Sequence, residues 1–495
     1  MTEDRGFSLA DLAGEFAVVS DAARDLRVTA LAHDSRQVGP GTLFFCVVGA
    51  ESDGHDFAQA ATDAGAVALV VERELPQVAA VQVVVDDSRR ALARIAARFY
   101  GHPSHKLRVC GITGTNGKTT SAFILESLLR ESGRTTGLIG TVETRIAGTR
   151  EPAGRTTPDA LELQRLLARM LEAGVSDVVM EVSSHALDLE RVGALRFACA
   201  AFTNLSQDHL DWHHDMESYY AAKKKLFTDY EVAARVINVD DPWGARLFSE
   251  LSEAGLAPFS VGLKAALTFD PDSVVYGPTE TSFELCTSSQ QSVAVRVPLV
   301  GAYNVHNVLI AAGCALHLGL KLEEIAPALA LLTPAPGRLE HVDAGQDFTV
   351  LVDYAHTDDA LRTALRALRE VTPGRLITVF GCGGDRDHSK RPLMGRAAGE
   401  CSDYVVATSD NPRSEDPRAI LRAVEEGLSV TQATSEVIVD RATAIGRAIE
   451  LAQTGDCVFI AGKGHEDYQI FADRTIHFDD REVARRALEE RGRQG

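Results

Sequence analysis

Gly111-Ile-Thr-Gly-Thr-Asn-Gly-Lys-Thr-Thr120 stands between the apolar run Leu107-Arg-Val-Cys-Gly-Ile112 and a helix-forming stretch, Thr119 to about Ser132, that Gly133 would stop. A strand, a glycine-rich turn and a helix in that order govern the reading of the rest. Glycines let backbone amides approach a polyphosphate with no Cβ in the way. The helix that follows offers unpaired N–H groups and the positive end of its dipole. Lys118 can reach terminal phosphates, and the Thr119 hydroxyl can hold Mg²⁺. The spacing departs from the strict phosphate-loop pattern, because Ile112 stands where that pattern wants glycine, with Gly111 and Gly114 on either side. The candidate nucleotide contacts are Gly111, Thr113, Gly114, Thr115, Asn116, Gly117, Lys118, Thr119 and Thr120. The bland alternative is a glycine-rich turn with a chance Lys-Thr pair, and the strand before and helix after weigh against it.

Outward from this turn the same rhythm repeats. Thr157-Pro-Asp reads as a helix start, with Thr157 as cap and Pro158 at the first helical position. The helix runs to Ala173-Gly174, and residues 178–182 read as a buried strand. Upstream, residues 42–48 and 66–71 are strand-like and residues 91–100 helical, and Gly101-His-Pro-Ser forms a linker. Leu332-Thr-Pro-Ala-Pro-Gly337 is a second linker. Beyond it, residues 348–352, 376–380, 404–408, 437–439 and 458–461 are strand candidates separated by helical stretches. Alternating strands and helices predict an α/β fold of parallel sheets wrapped by helices, in three domains: 1–106, 107–335 and 336–495.

The 495 residues carry 50 Lys and Arg against 70 Asp and Glu, a net charge of −20. That balance argues against a general nucleic-acid binder and against adsorption to anionic membrane. No run approaches the roughly eighteen apolar residues of a membrane span, and Met1-Thr-Glu-Asp-Arg lacks an export signal. The eight cysteines are scattered without a CxxC pair, which predicts reduced packing thiols. The expectation is a cytoplasmic protein.

Downstream of the turn, Met180-Glu-Val-Ser-Ser-His-Ala-Leu187 puts Glu181 near the carboxyl end of its strand, the ligand side of an open parallel sheet. Glu181 can hold Mg²⁺ there, although a Glu at a strand end is more often a surface residue. Phe202-Thr-Asn-Leu-Ser-Gln-Asp-His-Leu-Asp-Trp-His-His214 invites a zinc reading, but no HExxH, cysteine partner or helical ligand spacing supports one. In Tyr219-Tyr-Ala-Ala-Lys-Lys-Lys-Leu-Phe227, at least two of the lysines read as a solvated face.

Taken together, Thr-Gly-Thr-Asn-Gly-Lys-Thr-Thr, Glu-Val-Ser-Ser-His, Thr-Asn-Leu-Ser-x-Asp-His-Leu-Asp and Tyr-x-x-x-Lys-x-x-Leu-Phe resemble the Mur ligases of peptidoglycan synthesis, within them the MurE type. The resemblance runs from Asp34 to Gly462-Lys-Gly-His-Glu466. It implies a UDP-sugar-binding N-terminal domain, a central phosphate-loop-type ATPase domain on a parallel sheet and a C-terminal Rossmann-like domain. In the family the first lysine of Tyr-x-x-x-Lys, here Lys223, is carbamylated, which converts a cation into an oxygen ligand for Mg²⁺. By the same carry-over Thr119, Glu181, His209 and Lys223 serve the metal, and Lys118, Lys223, Glu181 and His209 serve catalysis. Gly301-Ala-Tyr-Asn-Val-His-Asn307 resembles a segment whose asparagines, here Asn304 and Asn307, touch ATP, while Asn304 also reads as an ordinary helix cap. Asp353-Tyr-Ala-His-Thr357 brings His356 to the nucleotide. Ser35 and the turn Gly49-Ala-Glu-Ser-Asp-Gly-His55 match UDP-muramoyl contacts. Thr156, Thr157, Ser183 and Arg191 match muramoyl-peptide contacts, whereas Leu189 replaces a usual Gln.

The resemblance also bears on the amino acid that is added. Asp410, Asn411, Pro412 and Arg413 form the version associated with diaminopimelate-adding members, and lysine-adding relatives depart from it. Diaminopimelate carries a second carboxylate that Arg413 can grip as a fork, and lysine would leave that fork facing no anion. Arg386, Gly462 and Glu466 complete the expected amino-acid site. The implied reaction joins meso-2,6-diaminopimelate to the D-Glu side chain of UDP-N-acetylmuramoyl-L-alanyl-D-glutamate through an acyl phosphate, with ATP and Mg²⁺ and with the protein as a monomer. No general base stands out, and His356 and His209 are the speculative candidates. The rivals are a lysine-adding, other Mur or folylpolyglutamate-type ligase and, from another class, a phosphate-loop nucleotide switch. A switch has no use for a third α/β block bearing paired arginines.

Overall fold

The computed structural model describes residues 6–16, 23–49, 52–277 and 279–493; Met1 to Arg5, and Ala50 and Glu51 of the turn before His55, lie outside them. The chain forms two compact units. One gathers Met1–Thr113, Gly133–Ala200 and Tyr220–Arg235, and the other Gly114–Ser132, Ala201–Tyr219 and Val236–Gly495.

The first unit opens on a four-stranded parallel sheet in the order Ala30–Ala32, Thr42–Phe45, Ala66–Val71 and Val81–Val84. Helix Ser88–Phe99 is capped by Asp87 and packs Ala91, Leu92, Ala93 and Ile95 into one core with Leu43, Phe45, Val70 and Val83. Farther along, Asp177–Glu181 lies parallel between Thr136–Ile139 and Arg108–Thr113. Its register sets Met180 opposite Gly111 and Glu181 opposite Ile112. All five residues of Asp177–Glu181 are buried, as a strand covered on both faces requires.

One expectation fails here. The helix after Pro158 is Ala160–Glu172, and its cap is Asp159, whose carboxylate accepts from Glu162 N at 3.0 Å. Thr157 is not the cap, because its hydroxyl is engaged elsewhere: it donates to Glu181 O at 2.9 Å and accepts from Ser183 N at 3.1 Å. An ionised Asp at the positive end of the helix also serves better than a hydroxyl. Burial opposes the charge on Asp159, but His33 and the Glu162 N–H outweigh it and hold the carboxyl at about 2.

In the second unit, helices Lys118–Glu131 and Ala302–His317 pack together. A six-stranded sheet runs in the order Glu340–His341, Thr349–Asp353, Cys457–Ala461, Leu376–Phe380, Tyr404–Ala407 and Thr434–Val437, all parallel except the first pairing. The last strand lies a few residues before the position expected from sequence. Helices cover both faces: Asp358–Val371, Lys390–Cys401 and Pro417–Leu428 on one core, Arg441–Leu451 and Asp480–Gly492 on the other. Arg441 is fully buried. It grips Asp480 in a fork of two 2.7 Å bonds and donates to Ser409 O and to Ala461 O at 3.4 and 3.0 Å, tying two strand ends together.

Six of the eight cysteines are buried. Burial pushes the Cys46, Cys382 and Cys457 thiols up to about 12, as expected of packing residues. Among the described residues no helix is long and apolar enough to cross a membrane.

Asp159→Ala is expected to cost about 1 kcal/mol and lower the melting temperature by about 2–4 °C, whereas Asp159→Asn, an equally good cap, keeps most of that stability. Thermal unfolding followed by circular dichroism checks the pair.

Candidate functional site

In the second unit the loop from Gly114 is shaped by partners distant in sequence. Thr115 N donates to Asn204 O and Asn116 N to Asn204 Oδ1, both at 2.9 Å, and Thr203 Oγ1 donates to Asn116 O at 2.6 Å. Lys118 Nζ donates to the carbonyls of Gly114 and Thr115 at 2.9 and 2.8 Å, closing the loop over its own lysine. Gly117 occupies the helix cap position at φ +84° and, lacking a side chain, makes no side-chain cap bond at this helix N-terminus, the kind of end that suits an anion. A Cβ at Gly117 would come within 2.3 Å of Asn307 Oδ1, and one at Gly114 within 1.9 Å of Thr203 Oγ1. Both glycines are therefore sterically required. Gly111 and Thr113 belong to the preceding strand in the first unit, and buried Thr119 and half-buried Thr120 open the helix.

Asn307 stands beside this loop. It accepts from Ser121 Oγ at 3.4 Å and donates to Asn304 Oδ1 at 2.9 Å, and Asn304 in turn donates to Val300 O at 2.8 Å. Asn304 is not the helix cap. Gly301 holds that position, and Asn304 lies one turn inside, where its amide relays from Asn307 back to the chain before the helix.

Arg338, directly after the linker 332–337, is not among the residues singled out from the sequence. Its Nη2 donates to Thr119 Oγ1 at 3.3 Å, its guanidinium carbon lies 4.8 Å from the centre of the Tyr354 ring, and its buried Nε has no hydrogen-bond partner among the described residues. A cation so placed beside the loop is suited to an anionic group. The only sequence signal for it was an Arg directly after a Pro-Gly turn. Asp353 ends its strand accepting from Leu339 N and Ala355 N, each at 2.8 Å, and burial raises its pKa against the pull of Arg338. His356 is exposed and donates from Nδ1 to Tyr354 O at 2.8 Å.

His209 holds a left-handed backbone, φ +53°, with its Nε2 3.4 Å from Asp208 Oδ2. Lys390 Nζ meets Asp208 Oδ1 at 3.0 Å. Burial opposes the charge of Asp208, yet His209 and Lys390 hold its carboxyl at about 2. Asp208 and Lys390 were also missed, since their partnership spans 182 residues.

The first unit assembles a second group. Glu181 is 1% exposed and accepts from Thr141 N at 2.8 Å and from Thr141 Oγ1 at 3.1 Å; that hydroxyl also meets Thr156 Oγ1 at 3.0 Å. Thr157 bridges Glu181 and Ser183 as described, and Arg191 Nη1 donates to Thr157 O at 3.1 Å. Burial lowers the Arg191 pKa, aided by Arg155 nearby. Lys223 is 1% exposed, while Lys225, 41% exposed, pairs with Asp188 at 2.7 Å. Of the three lysines the first alone is buried. Ser35 sits in a short turn capped by Asp34, whose carboxyl the adjacent Arg36 holds at about 2. Next to it His33 Nε2 lies 3.4 Å from Asp159. In the described part of the turn 49–55, His55 accepts from Glu72 N at Nε2, so its Nδ1 carries the proton it shares with Asp53 at 2.6 Å.

A third group, again in the second unit, lies where Asp410–Arg413 and Gly462–Glu466 leave their strands. Asn411 Nδ2 donates to Glu466 Oε2 at 2.9 Å, and Asn411 Oδ1 accepts from Ile470 N at 3.0 Å and Lys463 Nζ at 3.1 Å. Asp410 Oδ1 is buried with no hydrogen-bond partner among the described residues, which leaves it able to accept from a ligand. Arg413 holds φ +52°; its N donates to Ile470 O at 3.0 Å and its Nη1 to Gly384 O at 2.7 Å. Arg413 Nη1 and Arg386 Cγ come within 3.0 and 3.7 Å of where a Gly383 side chain would begin, so the two arginines share one wall. Gly462, at φ +117°, sits beside Asp410. The hairpin of Tyr468–Ile470 and Thr475–His477, unremarked in the sequence, supplies the main-chain partners of Asn411 and Arg413.

Comparison with known proteins gives the following. The family model described as "Mur ligase middle domain" matches residues 112–315, "Mur ligase, glutamate ligase domain" matches 337–464, and "Mur ligase family, catalytic domain" matches 27–100. The UDP-N-acetylmuramoyl-L-alanyl-D-glutamate--2,6-diaminopimelate ligase of Geobacillus thermodenitrificans is 49% identical over 94% of this chain and 95% of its own. The protein of that name from Gloeobacter violaceus is 48% identical over 95% and 96%. A solved structure of a UDP-N-acetylmuramoyl-L-alanyl-D-glutamate--2,6-diaminopimelate ligase superposes with a TM-score of 0.72 at 32% identity, covering 98% of this chain and 99% of that one. MurF ligase from Thermotoga maritima in complex with ADP shares the fold, with a TM-score of 0.64 at 20% identity over 94% and 99%.

Gly117→Ala is expected to weaken ADP binding roughly tenfold or more, since the new methyl group must displace Asn307 at a positive φ. Isothermal titration of the variant with ADP against the unsubstituted protein measures it.

Proposed function

The chain belongs to the Mur ligase family, and on that premise we propose that it is the ATP-dependent ligase that adds meso-2,6-diaminopimelate to UDP-N-acetylmuramoyl-L-alanyl-D-glutamate in peptidoglycan precursor synthesis. The divisions 1–106, 107–335 and 336–495 are its UDP-sugar, ATP and amino-acid domains, a reading supported by the three ranges of family match. The observation that carries the choice of amino acid is the third group. Arg386 and Arg413 share one wall, and Asp410 and Glu466 are close neighbours on the adjoining loops. Cations and anions on neighbouring segments match the distal end of diaminopimelate, which carries both a carboxylate and an ammonium. Lysine would satisfy only the anions.

A carboxylate is a poor electrophile, so the D-Glu side chain first attacks the γ-phosphorus of ATP, ADP leaves, and an acyl phosphate forms. Lys118, Arg338 and the amides of the loop hold the phosphates in line and spread the negative charge that builds during transfer. Asn304 and Asn307 brace the loop, and His356 faces the nucleotide side. Thr156, Thr157, Ser183 and Arg191 orient the muramoyl-peptide and Ser35 the UDP end. The amine of diaminopimelate then attacks the acyl carbon, the tetrahedral intermediate collapses, and inorganic phosphate leaves with the amide formed.

The hydroxyl of Thr119 and the carboxylate of Glu181 are hard oxygen donors that would suit Mg²⁺; by the family resemblance Lys223, as its carbamate, and His209 would be further ligands. Burial of Lys223 beside two more exposed lysines supports that role, because burial disfavours a charged ammonium. Bound Mg²⁺ would neutralise phosphate charge. The site of action we infer is the cytoplasm, where these anionic precursors are made.

Phosphate release from ATP with UDP-muramoyl-dipeptide tests the reading, with diaminopimelate and lysine offered separately: turnover with diaminopimelate is expected, and turnover with lysine alone would reject the specificity. Arg413→Ala should raise the KM for diaminopimelate roughly tenfold to a hundredfold with KM for ATP unchanged. Lys223→Ala should lower kcat roughly a hundredfold or more, and near-normal turnover would remove the carbamate from the mechanism.

A further inference from the structure

Lys463 has no exposed surface. Its ammonium lies 3.1 Å from Asn411 Oδ1, 3.3 Å from Glu466 Oε2 and 3.6 Å from Asp410 Oδ1, with the Tyr468 ring centre at 5.5 Å. Two acceptors stand within hydrogen-bond reach and a third at ion-pair distance, around a group that carries three N–H bonds. A buried ammonium is costly unless paired. Here it is paired with the three side chains that, on the ligase reading above, face the incoming amino acid. Being enclosed, Lys463 does not touch that amino acid itself.

Its effect runs through those partners. The Asn411 amide has Glu466 on its nitrogen and two donors, Ile470 N and Lys463 Nζ, on its oxygen, so its orientation is fixed from both ends. Glu466 is held by Asn411 and Lys463 together. Remove the lysine, and Asp410 and Glu466 lose the ammonium that lies between them, so the carboxylates and the Asn411 amide are free to move apart. With the lysine in place, the two carboxylates are held together on the loops that adjoin the arginines.

We propose that Lys463 is a positioning residue for the amino-acid substrate: a buried counter-cation that keeps the Asp410 and Glu466 carboxylates and the Asn411 amide aimed and together. The proposal rests on the ligase reading, and the test separates the two. Phosphate release is measured with the full-length protein, UDP-muramoyl-dipeptide, ATP and diaminopimelate, for the unsubstituted enzyme, Lys463→Met, Lys463→Arg, Glu466→Gln and the double variant Lys463→Met/Glu466→Gln. Lys463→Met is expected to raise KM for diaminopimelate roughly tenfold to a hundredfold with KM for ATP within about twofold, and Lys463→Arg to recover part of the loss. Because the lysine acts through Glu466, the double variant should lose little more than Glu466→Gln alone. Isothermal titration with ADP shows whether each variant is folded. If Lys463→Met does not fold, Lys463→Arg and Lys463→Gln replace it, and equal diaminopimelate KM values for those two overturn the proposal. It is also overturned if KM for diaminopimelate is unchanged in Lys463→Met, or if the two substitutions multiply. No diaminopimelate-dependent turnover in the unsubstituted enzyme sinks the ligase reading, and this proposal with it.

Discussion

Parallel strands that end in step bring their loops together, and the amino-acid site proposed above depends on that constraint. In the six-stranded sheet Asp353 lies opposite Ala461, Val379 opposite Ile460 and Phe380 opposite Ala407. The four segments that follow, starting at Tyr354, Gly462, Gly381 and Thr408, therefore leave the sheet at one level. Backbone pairing sets that level to within a residue, and Arg441 fastens two of the exits through the carbonyls of Ser409 and Ala461. A slip of one residue in any strand would turn its loop away. The same logic operates in the other unit, where Glu181 stands level with Ile112.

What could be read from the chain was whatever local pattern dictates. Residues 66–71, 376–380 and 458–461 are apolar, β-branched runs between turn residues, and they form the strands expected of them. The phosphate loop was legible because its glycines are forced by close approaches that leave a mark in composition. Caps were less legible. Thr157 and Asp159 both suit a helix start, and the choice was made by the Glu181 carbonyl and the Ser183 amide, 24 and 26 residues away. Asn304 offered a cap by type, but its amide had a better use one turn inside the helix. Arg338 gave almost no signal, since its meaning lies in Thr119, 219 residues upstream. Lysines are expected at the surface, so neither Lys223 nor Lys463 announces its burial. Lys223 does share a helix stripe with Leu226 and Phe227, both buried, a periodicity that could have been used.

The overall charge of −20 repels the anionic ligands proposed for this chain, ATP and the UDP-sugar peptide. The fold answers locally. The helix end at Gly117, Lys118 and Arg338 gather at the loop, Arg191 lies in the first unit, and Arg386 and Arg413 line the proposed amino-acid site. Partly buried cations are screened less than surface ones, so a few of them dominate a distant field of opposite sign.

The hold of Lys118 on the carbonyls of Gly114 and Thr115 has a further consequence. A loop that grips its own lysine keeps its shape with no guest inside, so its ordering entropy is settled when the chain folds and not when ligand arrives. The cost appears in another form: a phosphate must offer the ammonium more than two neutral carbonyls already do. A neutral guest offers the ammonium no more than those carbonyls do, so whatever draws Lys118 out of its loop must carry charge of its own.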